Sequence, residues 1–170
     1  MRAMVGALAV IVLGGCASGA AVAQPTEAPP TPLQVASPAV GGVLPDPRLT
    51  PGEVFTGVAA EQVCATGYAG SVRNVLREQY LQVYAEYGLS YPQRPGAYEL
   101  DHLIPLELGG DNTDLNLWPE PAAPAPGFHQ KDELENLLHD RVCSGQLALA
   151  DAQRGIASDW LGLYRQYLQP

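Results

Sequence analysis

Asp101, His102, Asn116 and His129 are the residues whose types and spacing could do chemistry. An imidazole that is neutral near pH 7 can take a proton from water. A carboxylate beside it and a second imidazole further along can hold a divalent cation. Together they suit hydrolysis of a phosphodiester, which needs a nucleophilic water, neutralised non-bridging oxygens and a stabilised leaving oxyanion. Three of the four fall in one stretch, Tyr98-Glu-Leu-Asp-His-Leu-Ile-Pro-Leu-Glu-Leu-Gly-Gly-Asp-Asn-Thr-Asp-Leu-Asn-Leu-Trp118.

The elements that must position them can be read from the pattern around them. Tyr98 to Ile104 alternates like a strand, with Leu100 and His102 on the face opposite Asp101 and Leu103. Asp101 and His102 therefore address one site only if the strand twists or ends there, and Pro105 and Gly109-Gly110 end it. Asn112 to Leu115 reads as a turn, and Asn116-Leu-Trp118 as the second strand of an antiparallel pair. Pro119 to Pro126 is expected to be an irregular proline-rich loop. A helix follows from near Phe128, with Leu134, Leu137, Leu138 and Val142 on one face and Gly145 at its end.

His129 stands at the start of that helix, and Asp132 and Glu133, three and four residues on, share its side and could supply a further ligand. Lys131 and Arg141 are candidates for gripping phosphate, with a solvated salt-bridging role the equal alternative for both. His139 is ten residues from His129, which on a helix is about 80° around and some 15 Å along the axis, so the two cannot share a metal.

The order of strand with Asp101-His102-Leu-Ile-Pro105, glycine turn Gly109-Gly110, strand with Asn116-Leu117, loop, and helix with His129 resembles the HNH endonuclease family over residues 98 to 140. Residues from about Pro47 to Tyr167 also look like a group of bacterial exported proteins that surround this motif with helices. The resemblance implies an α+β fold: a small ββα-metal core with a two-stranded antiparallel hairpin, flanked by additional α-helices. It implies His102 as general base and Asp101 and His129 as metal ligands, with Asn116 fixing the loop that carries His102. It implies one divalent ion, Mg²⁺ foremost, with Mn²⁺, Ni²⁺ or Zn²⁺ as alternatives. The spacing from Asn116 to His129 is longer than in compact members of the family, because the proline-rich loop intervenes.

Elsewhere a helix is expected from a Ser71 cap to Gly88, with Val72, Val75, Leu76, Tyr80, Val83, Tyr84 and Tyr87 on its apolar stripe. The stripe makes its tyrosines core residues rather than a base-stacking platform and puts Arg73 and Arg77 on the other face, where they are solvated or, as the alternative, grip phosphate. Glu53 to Gly57 could form a short strand, and Gln62 to Gly67 a turn carrying Cys64. Ser90 to Gly96 is a proline-broken loop, and a last helix from about Ala150 to Leu168 buries Ile156, Trp160, Leu163, Tyr164, Tyr167 and Leu168.

The remaining signals concern delivery. Residues 1–23 have the layout of a secretory signal: Arg2, an apolar run from Ala3 to Leu13, then small residues. Leu13-Gly-Gly-Cys16 resembles a bacterial lipobox, which would leave a lipidated Cys16 and, with Ser18, an outer-membrane sorting context; Ala21-Val-Ala23 fits ordinary cleavage and a soluble product. Residues 24–50, rich in Pro, Ala and Val, read as an extended linker, and residues 51–170 as one domain. If Cys16 takes the lipid, Cys64 and Cys143 remain as a pair for a disulfide in an oxidising compartment, the alternative being two buried thiols. The expected location is periplasmic, anchored to the outer membrane, or secreted.

The chain of 170 residues carries a formal charge of −9, so no basic face supplies nonspecific nucleic-acid affinity. The nuclease reading thus expects weak, salt-sensitive binding, to DNA before RNA, by a monomer. The competing reading is a non-catalytic, envelope-anchored binding protein that keeps the ββα scaffold.

Overall fold

Two short runs pair as an antiparallel ribbon in the computed structural model, which describes residues 44–169: β1 (Tyr98–His102) and β2 (Leu117–Pro121). The register sets Leu100 opposite Pro119 and His102 opposite Leu117. β2 runs three residues further than the sequence pattern suggests, through Pro119-Glu-Pro121, which was expected to be irregular. The reason lies in the ladder. Ala122 N–H donates to Ala97 O and Leu103 N–H to Asn116 O, so even-numbered residues of β2 face β1 and the nitrogens of Pro119 and Pro121 point away from it. A proline is tolerated where its missing donor would have had no partner.

Helices surround the ribbon, giving a mixed α+β fold. They are α1 (Ala60–Val63), α2 (Tyr68–Val72), α3 (Arg77–Glu86), α4 (Phe128–Cys143) and α5 (Leu149–Leu168). Leu134, Leu138 and Val142 of α4 and Ile156 and Trp160 of α5 are buried with Leu117 and Trp118 of β2 in one core. Leu134 and Leu138, four residues apart, fall on the same helix face, which is why α4 can lie against both the ribbon and α5. The Cys64–Cys143 disulfide ties the end of α1 to the end of α4 across 79 residues of sequence, with a Cα–Cα distance of 5.5 Å.

Other elements also differ from the pattern-based expectation. The single helix expected from Ser71 to Tyr87 is two, α2 and α3, separated by an extended stretch beginning at Arg73 (φ −62°, ψ 120°). Ser71 does not cap the longer helix; its hydroxyl donates back to Tyr68 O. The break is held by a loop distant in sequence: Asn112 Nδ2 donates to Val72 O (2.9 Å), and Asn74 N–H donates to Asn112 Oδ1 (3.1 Å). Gln79 starts α3 by accepting Leu76 N–H and donating to Asn112 O and Asp114 Oδ1. These tertiary hydrogen bonds override a helical pattern.

α5 departs from helical geometry at Asp159 (φ −162°, ψ 73°), where the carboxylate accepts Gly162 N–H at 2.9 Å and caps a second segment. The candidate strand from Glu53 to Gly57 reduces to one bridge, Val54 to Gly110, and α1 occupies part of the turn expected at Gln62 to Gly67.

The linker expected to run to residue 50 also needs correction at its end. Thr50 is fully buried, donates to Leu117 O and hydrogen-bonds the Tyr87 hydroxyl, which in turn accepts Asp46 N–H. The packed domain therefore includes Asp46 to Thr50. The candidate signal segment, the lipobox with Cys16 and most of the linker lie outside the described residues. Among the described residues no helix is long and apolar enough to cross a membrane.

Candidate active site

The loop between the two strands is built around Asn116, which is completely buried. Its Oδ1 accepts Ile104 N–H (2.9 Å), and its Nδ2 donates to Ile104 O (2.9 Å) and Asp111 O (3.0 Å). One amide side chain thus satisfies three backbone groups of the loop that follows His102. Gly110 is required for this closure: a Cβ there would come within 1.7 Å of Ile104 O and 2.8 Å of Asn116 Nδ2. Gly109, at φ +78°, ends the 3₁₀ turn Leu106–Leu108 and turns the chain toward Asn112.

His102 is buried, and its ring still reaches the wall of a cavity of about 540 Å³. Its Nε2 lies 3.2 Å from Asn112 Oδ1. The Asn112 amide is oriented by its other bonds, since Nδ2 donates to Val72 O and Oδ1 accepts Asn74 N–H. An acceptor facing His102 fixes the hydrogen on Nε2 and leaves the lone pair of the neutral ring on Nδ1. Burial lowers the His102 pKa below its ordinary value, against the raising influence of Asp101 and of the Asn112 hydrogen bond. The ring is neutral near pH 7. The α2–α3 break and the Asn112 loop therefore act on one object, the imidazole.

The same cavity is lined by Arg73, by Tyr80, Tyr84 and Tyr91, and by the carboxylates of Glu99, Asp101, Glu107, Asp132 and Glu135. Tyr91 stands 5.3 Å from Tyr80 and 5.2 Å from Tyr84 between ring centroids. Tyr84 and Tyr87 are core residues as the stripe predicts, whereas Tyr80 is half-buried and Tyr91 exposed on the cavity wall. Arg73 is exposed, as expected, and also borders the cavity.

Burial, with Asp101 and Asp132 adding to it, pushes Glu99 up to about 7. Burial also raises Asp132.

Lys131 is where the structure departs furthest from expectation. It is neither a phosphate contact nor solvated: its side chain is fully buried. The ammonium donates to Asp101 Oδ2 (2.6 Å), His102 O (2.7 Å) and the Glu135 carboxylate, with Glu120 Oε2 3.7 Å away. Burial by itself would raise Asp101 and lower Lys131. Their mutual attraction prevails, so Asp101 is lowered and Lys131 raised, and this pair is charged. Burial pushes Glu120 up to about 10, and the neutral acid hydrogen-bonds Asp101, which helps to lower Asp101. Burial raises Glu135 as well. The register places Glu99 directly opposite Glu120, an arrangement of like groups that is costly unless one is protonated or a cation stands nearby.

The expected metal ligands differ in their surroundings. His129 is exposed, packs edge-on against Phe128 with centroids 4.2 Å apart, and is absent from the cavity lining. Glu133 is exposed and outside the cavity as well, while Asp132 borders it. Asp101, the other expected ligand, is engaged by Lys131.

Among the described residues, the group of three His, Cys, Asp or Glu ligand atoms lying within 4.8 Å of one another is Cys64, His139 and Cys143. That group could hold a metal ion, but its two sulfurs are joined in the disulfide. His139 places Nε2 3.1 Å from Val63 O and 3.4 Å from Cys143 Sγ. Arg141 stacks over Tyr167 with 4.4 Å between guanidinium and ring centroid, away from the cavity.

Sequence reasoning passed over Glu99, Asn112, Glu120 and Glu135. Glu135 has a usable signal, the i,i+4 spacing from Lys131. Asn112 has a weaker one, its place just after the glycine pair. Glu120 is hidden by the prolines on either side, which argue against a strand. Comparison of the chain with protein-family models, with curated proteins and with solved structures finds no match in any of the three.

Proposed function

We propose that the domain is an HNH-type phosphodiesterase acting on nucleic acid, with His102 as its general base. The observation that carries this reading is the neutral, Asn112-held imidazole at the wall of a cavity large enough for a nucleotide. A ring fixed as the Nε2–H tautomer can accept a proton from water on Nδ1 without first losing one. Asn116 keeps the loop behind it in place, so the base does not have to be organised when substrate arrives.

Other cavity residues fit the same substrate class. Tyr80, Tyr84 and Tyr91 offer aromatic faces for a nucleobase. Arg73 offers a guanidinium to a phosphate. Glu99, protonated up to about pH 7, can give a proton to the departing oxygen. Because burial raises Glu99, Asp132 and Glu135, the cavity carries less negative charge than its carboxylates suggest, which eases the approach of an anion. Lys131 already neutralises Asp101 Oδ2, so the charge that a metal would meet at this carboxylate is partly offset. The disulfide is in keeping with the oxidising compartment to which the leader would deliver the protein.

The engagement of Asp101 by Lys131 favours a second reading, in which the scaffold binds without catalysing. Digestion of plasmid DNA and of single-stranded RNA by the full chain separates the two. The assay is run with chelator and with added Mg²⁺, Mn²⁺, Ni²⁺ or Zn²⁺, using wild type and His102→Ala. Cleavage that falls at least about 100-fold on the substitution supports the hydrolase. No cleavage in any condition, or cleavage indifferent to His102→Ala, gives the site to the binding reading.

A further inference from the structure

We infer that Lys131 is the resident cation of this site: its ammonium holds the position beside Asp101 that a divalent ion would need, so Asp101 binds no metal in the native protein. The inference builds on the reading of the cavity as an HNH-type site, because only that reading assigns a metal to Asp101.

On the Oδ2 side of Asp101 the geometry is that of a filled site. An ammonium has three N–H donors, and Lys131 uses them on Asp101 Oδ2, His102 O and the Glu135 carboxylate. None remains for substrate, and the side chain has no exposed surface. A divalent ion bound to the same carboxylate oxygen would lie about 2.0 to 2.2 Å from it. The ammonium is 2.6 Å from that oxygen, so the two cations would meet at repulsive range in a buried environment.

The surrounding acids are those a cation would collect. Glu135 follows Lys131 by one helical turn, and Glu120 approaches from β2 to 3.7 Å of the ammonium. With Asp101 from β1, these carboxylates converge on Nζ from three elements. Removing the ammonium leaves an acidic pocket that must take up protons or another cation.

Uptake of Mn²⁺ by the full chain, followed by electron paramagnetic resonance and calorimetry, tests this independently of activity. Wild type and Asp101→Asn should give indistinguishable isotherms. Lys131→Ala should gain one site at least tenfold tighter than anything in wild type, and adding Asp101→Asn should abolish it. A stoichiometric wild-type Mn²⁺ site that Asp101→Asn removes overturns the inference, as does a folded Lys131→Ala that gains no site. If circular dichroism shows Lys131→Ala to be unfolded, the comparison of wild type with Asp101→Asn decides alone. A protein that cleaves nothing yet behaves this way with Mn²⁺ sinks the hydrolase reading and leaves the resident cation standing.

Discussion

His102 depends on Asn112 for its tautomer and on burial for its neutrality, and each dependence predicts a measurable effect. Asn112→Ala removes the acceptor at Nε2 and the clasp on the α2–α3 break. It should lower kcat by about 10- to 100-fold with little change in KM, the pattern of a positioning residue. In steady-state kinetics, an equal rise in KM would assign Asn112 to substrate binding instead. The pH profile follows from His102 and Glu99. The base is active above a pKa lower than that of an ordinary histidine, and the acid is active below about 7, so cleavage should peak on the acid side of neutrality.

Stability carries its own pH signature. The folded Glu99 pKa of about 7 exceeds its ordinary 4.5, so the folded state binds the extra proton. Its contribution is fully present below about pH 4.5 and is lost as pH rises through 7. Urea unfolding at pH 5 and pH 8 should show Glu99→Gln losing less stability over that interval than wild type. An unchanged pH dependence would mean that Glu99 is not buried enough to matter. Lys131→Ala, which strands buried carboxylates, should cost about 3 to 5 kcal/mol in the same assay.

The ribbon and α4 are the elements that assemble the site, and they differ in how far the sequence discloses them. β1 follows from alternation and the start of β2 from Asn116-Leu-Trp118. The extension of β2 through Pro119 and Pro121 does not, because a local pattern cannot say which side of a strand faces solvent. The range of α4 is legible from its leucines. The inward turn of Lys131 is not, because lysine is almost never buried alone and its partners Asp101, Glu120 and Glu135 lie on three different elements. The α2–α3 break was equally hidden, since its cause, Asn112, is 40 residues away from Val72.

Asn116 is the residue on which the loop between strands turns. Asn116→Ala should leave the buried N–H and C=O of Ile104 unpaired and cost about 2 to 4 kcal/mol in denaturant unfolding. A cost below about 1 kcal/mol would show that the loop holds without it.

At the scale of the whole molecule, helices clamp a small ribbon against one core, and the Cys64–Cys143 bond closes the ends of that clamp. Replacing both cysteines by serine should lower stability by about 2 to 4 kcal/mol while leaving the cavity residues in place. Loss of cleavage in a variant that is still folded would contradict so purely structural a role. The −9 formal charge makes nucleic-acid affinity depend on few contacts, so binding should be weak and decline as salt rises. Composition and the Asp101-His102 motif made the α+β class and the position of the imidazole legible. They could not reveal that His129 faces outward, because its orientation depends on how α4 docks rather than on its place in the sequence.

The central claim is that His102 acts as a base on a phosphodiester. Its most direct test is single-turnover cleavage of a nucleic-acid substrate by the full chain and by His102→Ala at mildly acidic pH. A rate in the wild type that falls at least about 100-fold in the variant is the predicted result. Equal rates in the two proteins, or no cleavage by a folded wild type, would contradict it.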